Sequence, residues 1–326
     1  MKLSEKEKTK IAELYNLGKI KSIKQIKEGL INYNFIFTTE KGEFIIRVLG
    51  PSFKTYSSNK KRIKLEFKVL RYLKKEEFPY KTPLPIKNKQ SEYLSKINKN
   101  DLWVYRKLEG NHIKRLNNKN LKEIARALGH YHKFIRKLDI NKIIREVGFE
   151  TYKKLSGFGW LAEKYSHIKR IKPKNKTDKL MLKNIDFFDS CLKKIMKLKF
   201  NKNIIVTHSD FKRDNLLFKK NKLVTILDFG SIGINPQIKD VANAINDCCF
   251  SEGRLDKRKL NLFLKEYEKM NLLLKEEKDM LILLIIGNNC FDFWEFYEGT
   301  KEKLNRRYFL LKGIVDTTKK LVKGAK

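Results

Sequence analysis

The chain has 326 residues, 41% of them hydrophobic, enough for one large or two moderate domains with real cores and too apolar for a disordered protein. Lys and Arg outnumber Asp and Glu by 74 to 37, a formal charge of +37. This excess is mostly Lys spread from end to end, so it reads as a solvated, compositionally biased surface with no specific nucleic-acid partner, and Lys169 to Lys176 is the local basic stretch that would argue otherwise. Cys191, Cys248, Cys249 and Cys290 lack the paired spacing of a zinc site or disulfide framework. The charged N-terminus has no apolar signal segment, and the most apolar run, Met280 to Ile286, is too short to cross a bilayer. A cytoplasmic protein without membrane attachment is the expectation.

Ser4 with Glu7 forms a capping box ahead of a helix through Ile11, Leu14 and Tyr15 that stops near Gly18. Three strand-like runs, Lys19 to Lys27, Tyr33 to Thr39 and Phe44 to Leu49, are joined by turns at Glu28-Gly29 and Lys41-Gly42 and predict an antiparallel meander. From Lys60 to Lys75, Ile63, Phe67, Leu70 and Leu73 recur at helical spacing and leave Glu66 beside the apolar stripe. Pro79, Pro83 and Pro85 break the chain, Leu102 to Tyr105 reads as a further strand, and the β-rich part ends at Leu108-Glu109-Gly110. Helical patterns follow over Leu121 to Leu138, Leu180 to Ile195, Ala242 to Cys248, Leu260 to Met270, Lys278 to Tyr297 and Arg306 to Leu321. The expectation is an α+β fold of two lobes, a small β-rich one over residues 1–108 and a larger α-rich one over residues 109–326, with a ligand cleft between them.

The segment His208-Ser209-Asp210-Phe211-Lys212-Arg213-Asp214-Asn215 leads, through a short apolar strand and a turn, to Thr225-Ile226-Leu227-Asp228-Phe229-Gly230. Transfer of a γ-phosphoryl group needs a carboxylate to orient the attacking hydroxyl and oxygen ligands to hold Mg2+ against the triphosphate. Asp210 fits the first need; Asn215 and Asp228 fit the second. Either segment alone also reads as a polar hairpin turn. Jointly, two apolar strands, Asn203 to Thr207 and Leu223 to Leu227, each deliver a polar cluster at one end, and this points to a phosphotransferase site.

The chain resembles the aminoglycoside phosphotransferase and choline kinase superfamily, and within it the homoserine kinase type II and spore-coat-kinase-like members. The family's His, small residue, Asp and an Asn five positions after it match His208, Ser209, Asp210 and Asn215; its metal-binding Asp matches Asp228. Asp240-Val241-Ala242 matches the helix that braces the catalytic loop. The resemblance implies a protein-kinase-like fold, ATP and Mg2+ as cofactors, and a small-molecule acceptor. It also implies that Glu28 to Phe35 is the nucleotide loop, with Gly29 and Asn32 beside the phosphates, where an ordinary hairpin turn is the competing reading. Arg47 stands where the family usually has Lys, and Glu66 is its implied helix partner or else a solvated carboxylate. The stretch Trp103 to Leu108, Lys107 included, is implied to offer backbone groups to adenine.

His130 and His132 read as packing or hydrogen-bonding residues, Asp214 as a brace of its turn, and Lys212 as a contact to the transferred group. Asn289, Asp292, Phe293, Trp294, Glu295 and Tyr297 combine acids and aromatics on one predicted helix, with Asp292 and Glu295 on a shared face. Such a cluster suits an ammonium group, or its aromatics are simply core. The functional expectation is an ATP- and Mg2+-dependent phosphotransferase acting on a hydroxyl of a small, amine-bearing metabolite such as homoserine. A non-catalytic nucleotide- or RNA-binding module and an atypical protein kinase are the alternatives.

Overall fold

Ser4 accepts from the Glu7 N–H while the Glu7 carboxylate accepts from Ser4, and this capping box opens helix α1 (Glu5–Leu14). The computed structural model describes residues 3–26, 32–50, 58–148, 159–198, 202–298 and 304–324. After α1 come strands β1 (Ile20–Ile26), β2 (Tyr33–Thr39) and β3 (Gly42–Val48), then helix α2 (Ser58–Lys75). A hairpin of β4 (Ser95–Ile97) and β5 (Asn100–Arg106) completes an antiparallel sheet of order β1-β2-β3-β5-β4. The sequence reading has β5 and lacks β4, whose three residues are too few to show alternation. Alternation along β2, β3 and β5 sends Phe35, Phe37, Phe44, Ile46, Val48, Leu102 and Val104 onto one face, where Ile11, Tyr15 and Leu17 cover them.

The larger lobe is built from α3 (Asn118–Ile135), α4 (Ile140–Val147), α5 (Gly159–Ile168), α6 (Lys176–Met196), α7 (Gln237–Cys249), α8 (Lys257–Glu268), α9 (Lys275–Glu298) and α10 (Leu304–Gly324). Short ribbons lie among these helices: β6 (Ile204–Thr207) pairs with β9 (Gly233–Pro236), β7 (Leu216–Lys219) with β8 (Lys222–Ile226), and β10 (Phe250–Ser251) with β11 (Arg254–Leu255). The buried face of α2, with Leu65, Val69, Leu70 and Leu73, joins the core of this lobe. That packing brings α2 against the 3₁₀ turn Phe229–Ser231, which is how a residue of the first 75 reaches the catalytic segment.

Two backbone stitches fix the cleft. The Lys81 N–H donates to the Val224 carbonyl and the Ile226 N–H to the Lys81 carbonyl, both at 2.9 Å. Asn111 and Phe218 exchange bonds of 2.8 and 2.9 Å, and the Thr225 hydroxyl donates to the Glu109 carbonyl at 2.9 Å. The β7–β8 hairpin, which carries Asp228 at its exit, is thereby tied to the segment that joins the lobes. Among the described residues no helix is long and apolar enough to cross a membrane.

Candidate active site

Strand β6 ends at Thr207 and the chain turns sharply: Ser209 has φ 63°, and Asp228, after β8, has φ 55°. Left-handed backbone at a non-glycine residue costs on the order of 1–3 kcal/mol and persists only where its surroundings hold it. Asp240 on α7 is the holder for the first turn. Its fully buried carboxylate accepts from the His208 N–H at 2.7 Å and the Ser209 N–H at 2.8 Å. The other end of the loop is tied to the same helix, where Asp247 accepts from the Arg213 N–H at 2.8 Å and its Nε at 3.0 Å. Asp214, expected to brace this turn, is exposed and makes no hydrogen bond or ion pair among the described residues; Asp247 acts in its place.

His208 joins the two turns. Burial holds its pKa below the usual histidine value against the pull of Asp240, and a neutral ring fits the contacts. In that assignment Nε2–H donates to the Leu227 carbonyl at 2.9 Å and Nδ1 accepts from the Asp210 N–H at 3.3 Å. His132 meets Asp240 at 3.2 Å and the Tyr267 hydroxyl at 2.7 Å, whereas His130 bonds the Tyr80 hydroxyl at 3.1 Å. The two histidines thus serve separate networks.

Asp210 sits partly exposed with both carboxylate oxygens engaged. The Lys212 ammonium approaches Oδ1 to 3.0 Å, and Asn215 Nδ2 donates to Oδ2 at 2.9 Å and to the Asp210 carbonyl at 2.8 Å. Partial burial works against the Lys212 charge, but the Asp210 pairing outweighs it, with help from Asp214 and Asp228, and its pKa rises. Asn215 spends its amide nitrogen on Asp210, and its side-chain oxygen makes no hydrogen bond among the described residues. Together with the Asp228 carboxylate this is a donor set of hard oxygens. Among the described residues no group of three or more His, Cys, Asp and Glu side chains is gathered to hold a metal alone. The set therefore fits a divalent cation whose remaining ligands are phosphate oxygens and water.

The nucleotide side departs from expectation at one pair. Arg47 on β3 is buried, yet its guanidinium does not pair with Glu66: Nη2 donates to Asp228 Oδ1 at 2.6 Å, and no Arg47–Glu66 ion pair forms. Asn32, with its carboxamide oriented by its surroundings, accepts from Arg47 Nη2 at 3.0 Å and Nε at 3.1 Å. Burial tends to raise the Asp228 pKa, but Arg47 outweighs it and the carboxylate is held below its ordinary value. Glu66 is 2% exposed, its Oε1 has no partner, and burial pushes its pKa up to about 7 against the pull of Arg47. Tyr105, which the sequence reading did not single out, lies within electrostatic reach of Arg47, Asp228 and Glu66, and burial pushes its phenol up to about 12. The other expected nucleotide contacts divide. Lys107 is committed to Glu43, its N–H to the carbonyl at 2.9 Å and its ammonium to the carboxylate at 2.8 Å. Its N–H and its ammonium are thus engaged by the neighbouring strand. Gly29 lies outside the described residues.

Helix α9 carries Asp292, which meets Asn246 of α7, and Glu295, which lies within electrostatic reach of Lys212. Burial, then the charge of Glu295, pushes the Asp292 pKa up to about 7 while Asn246 donates to it at 3.3 Å. Burial also raises Glu295, and Lys212 opposes the rise, so the ammonium next to Asp210 reaches this acid as well. A ladder of amides missed from sequence joins the parts: Asn288 donates to Asn243 at 3.1 Å, and Asn243 to the Ser209 carbonyl at 3.3 Å. Asn289 and Phe293 do not join the cluster. Four residues apart on a helix, both face inward, Asn289 to Thr318 at 3.0 Å and Phe293 stacked on Phe188 at 4.0 Å.

The sequence profile of a family described as "Phosphotransferase enzyme family" matches residues 22–273. Homoserine kinase of Pseudomonas aeruginosa is 23% identical over 258 residues, covering 78% of this chain and 73% of that one. Aminoglycoside 3'-phosphotransferase of Escherichia coli is 42% identical over 45 residues, 14% of this chain and 17% of that one. Among solved structures, an aminopropanol kinase superposes with a TM-score of 0.72 at 12% identity, covering 97% of this chain and 98% of that one. Amicoumacin kinase hAmiN in complex with AMP-PNP, Ca2+ and Ami gives 0.69 at 16% identity, covering 98% and 94%. At these identities the likeness is one of fold, the two-lobed protein-kinase-like arrangement.

Proposed function

We propose that this chain, which belongs to the phosphotransferase enzyme family, moves the γ-phosphoryl group of ATP to the hydroxyl of a small, amine-bearing metabolite, with Asp210 as the base. The observation that carries the reading is the Asp210–Lys212 ion pair at 3.0 Å with Glu295 within electrostatic reach of Lys212 and Asp292 within reach of Glu295, an arrangement that would set a base for a hydroxyl near acids for an ammonium. Asp210 accepts the proton of the attacking hydroxyl while Asn215 and Lys212 fix its orientation. Lys212 lies close enough to the base to stand against the transferred group, where a positive charge opposes the negative charge of the equatorial oxygens. Arg47 supplies a permanently charged planar fork for the phosphates nearer the nucleoside. Asp228 and the Asn215 oxygen would hold a Mg2+ ion, which would supply neutralisation of the triphosphate charge.

Homoserine is the first acceptor to test: the relatives named homoserine kinase and aminopropanol kinase carry, in those names, molecules that bear both an amine and a hydroxyl. The test is a panel of hydroxyl compounds with and without an amine, incubated with ATP and Mg2+ and scored by mass spectrometry for the phosphate ester. The reading expects esters from amine-bearing members, and expects Asp292→Asn to raise KM by on the order of tenfold with a smaller change in kcat. Equal turnover of matched compounds lacking the amine contradicts it.

A further inference from the structure

Asp292 and the base Asp210 stand on different elements, α9 and the catalytic loop, and α7 lies between them as a common anchor. Asn288 and Asp292, about one helical turn apart on α9, meet Asn243 at 3.1 Å and Asn246 at 3.3 Å, which are about one turn apart on α7. The first of these rungs continues into the catalytic loop, where Asn243 Nδ2 donates to the Ser209 carbonyl at 3.3 Å. Its polarity is fixed from that end. A carbonyl can only accept, so Asn243 turns Nδ2 to Ser209 and Oδ1 to Asn288, which then presents its own Nδ2. The Ser209 carbonyl and the Asp210 N–H belong to one planar peptide group, and that N–H meets His208 Nδ1 at 3.3 Å. Asn243 and His208 thus hold the two edges of the peptide plane from which the base projects.

We propose that the ladder Asn288–Asn243–Ser209 selects acceptors by the number of carbon atoms between amine and hydroxyl. This rests on the amine reading proposed above, in which acids of α9 hold the ammonium and Asp210 takes the hydroxyl proton. In this account Asn243 and Asn288 are positioning residues: one acts through Ser209 on the base, the other through α9 on the ammonium site, and the bond between them sets the span. One methylene changes the reach of a flexible acceptor by about 1 Å, and misplacement on that scale costs up to about a hundredfold in rate. A span held by amide bonds is therefore enough to separate neighbouring lengths. Lys212 also reaches from Asp210 toward Glu295, but its flexible stem follows the two acids and does not fix their separation.

Two homologous series test the proposal: straight-chain amino alcohols from ethanolamine to aminopentanol, and α-amino acids with a terminal hydroxyl from serine upward. The measurement is kcat/KM for each member with ATP and Mg2+. Wild type is expected to favour one length over its neighbours by at least about tenfold. Asn288→Ala frees α9 from the loop, and Asn243→Ala cuts the ladder at both bonds. Each narrows the preference by about three- to tenfold, the scale of one hydrogen bond, while KM for ATP stays at the wild-type value. The double variant narrows it no further than Asn243→Ala, because the ladder is already cut. A merely structural role would lower kcat/KM for every length alike and leave the preference in place. The proposal is overturned if wild type turns over neighbouring lengths equally, or if a folded variant of either asparagine keeps the wild-type preference. Failure of one variant to fold leaves the other to decide. Amine-dependent turnover with a flat length profile sinks the ladder and spares the amine reading; turnover that ignores the amine, or no turnover of any member, sinks both.

Discussion

Asp292 carries a pH signature with a definite sign. Its pKa is pushed up from 3.8 to about 7 by burial first and the Glu295 charge second. The folded chain therefore keeps the Asp292 proton over a range in which the unfolded chain has released it. Its contribution to stability is full below about pH 4 and is lost as pH rises through about 7. Asp292→Asn removes that loss. Its thermal midpoint relative to wild type should climb between about pH 5 and about pH 8, and a gap that does not change with pH would contradict the assignment. Acceptor binding runs the other way, because an ammonium is held by the ionised form, so acceptor affinity should strengthen over the same interval. At this scale Asp210, Asn215 and Asp228 were legible because their spacing is set by the covalent chain. The partner of Arg47 was not: Asp228 lies 181 residues away, and the contact depends on how α2 and the β7–β8 hairpin pack, which no local pattern encodes.

Helix α7 anchors the catalytic loop at both ends from one face, with Asp240 and Asp247 two turns apart. Asp240→Ala leaves the His208 and Ser209 amides and His132 without their acceptor, and is expected to lower unfolding stability by on the order of 3 kcal/mol or more. Denaturant titration measures it, and a loss within the error of the extrapolation would show that another group holds the turn. The Asp240 position was readable from its motif, but the start of α7 was placed at Ala242 instead of Gln237, and β9 was missed. The reason is local: Gly233 and Pro236 punctuate the run Ile232 to Gln237, so a short paired strand looks like a turn. Helix α4 escaped notice because eight residues hold too few turns to show a period, although its ends were marked by Asp139, which caps Lys142 N–H, and Gly148, at φ 64°. In α9 the alternative that the aromatics are core holds for Phe293: the repeat that places Asp292 beside Glu295 turns Asn289 and Phe293 into the core.

Across the whole molecule, the net charge of +37 is spread over the chain, and even the local basic stretch has acids packed beside it. Lys169, which opens the basic stretch, contacts both Asp186 and Asp189 at 2.9 Å. Binding to duplex DNA or structured RNA is accordingly expected to be weak, indifferent to sequence and steeply lost with added salt, and a selective complex that survives physiological salt would reverse this view. The division into a β-rich and an α-rich part was legible from the change of period near Asn120, whereas the sharing of α2 with the larger core was not, since amphipathicity shows that a face is buried and not what buries it. The central claim is that this cleft transfers a phosphoryl group with Asp210 as base. It is tested most directly by following the phosphate ester of an amine-bearing acceptor formed by wild type and Asp210→Asn side by side, with ATP binding measured on both. A drop in turnover of on the order of 10²–10⁴-fold with ATP affinity retained is the predicted result, and equal rates in the two proteins would contradict it.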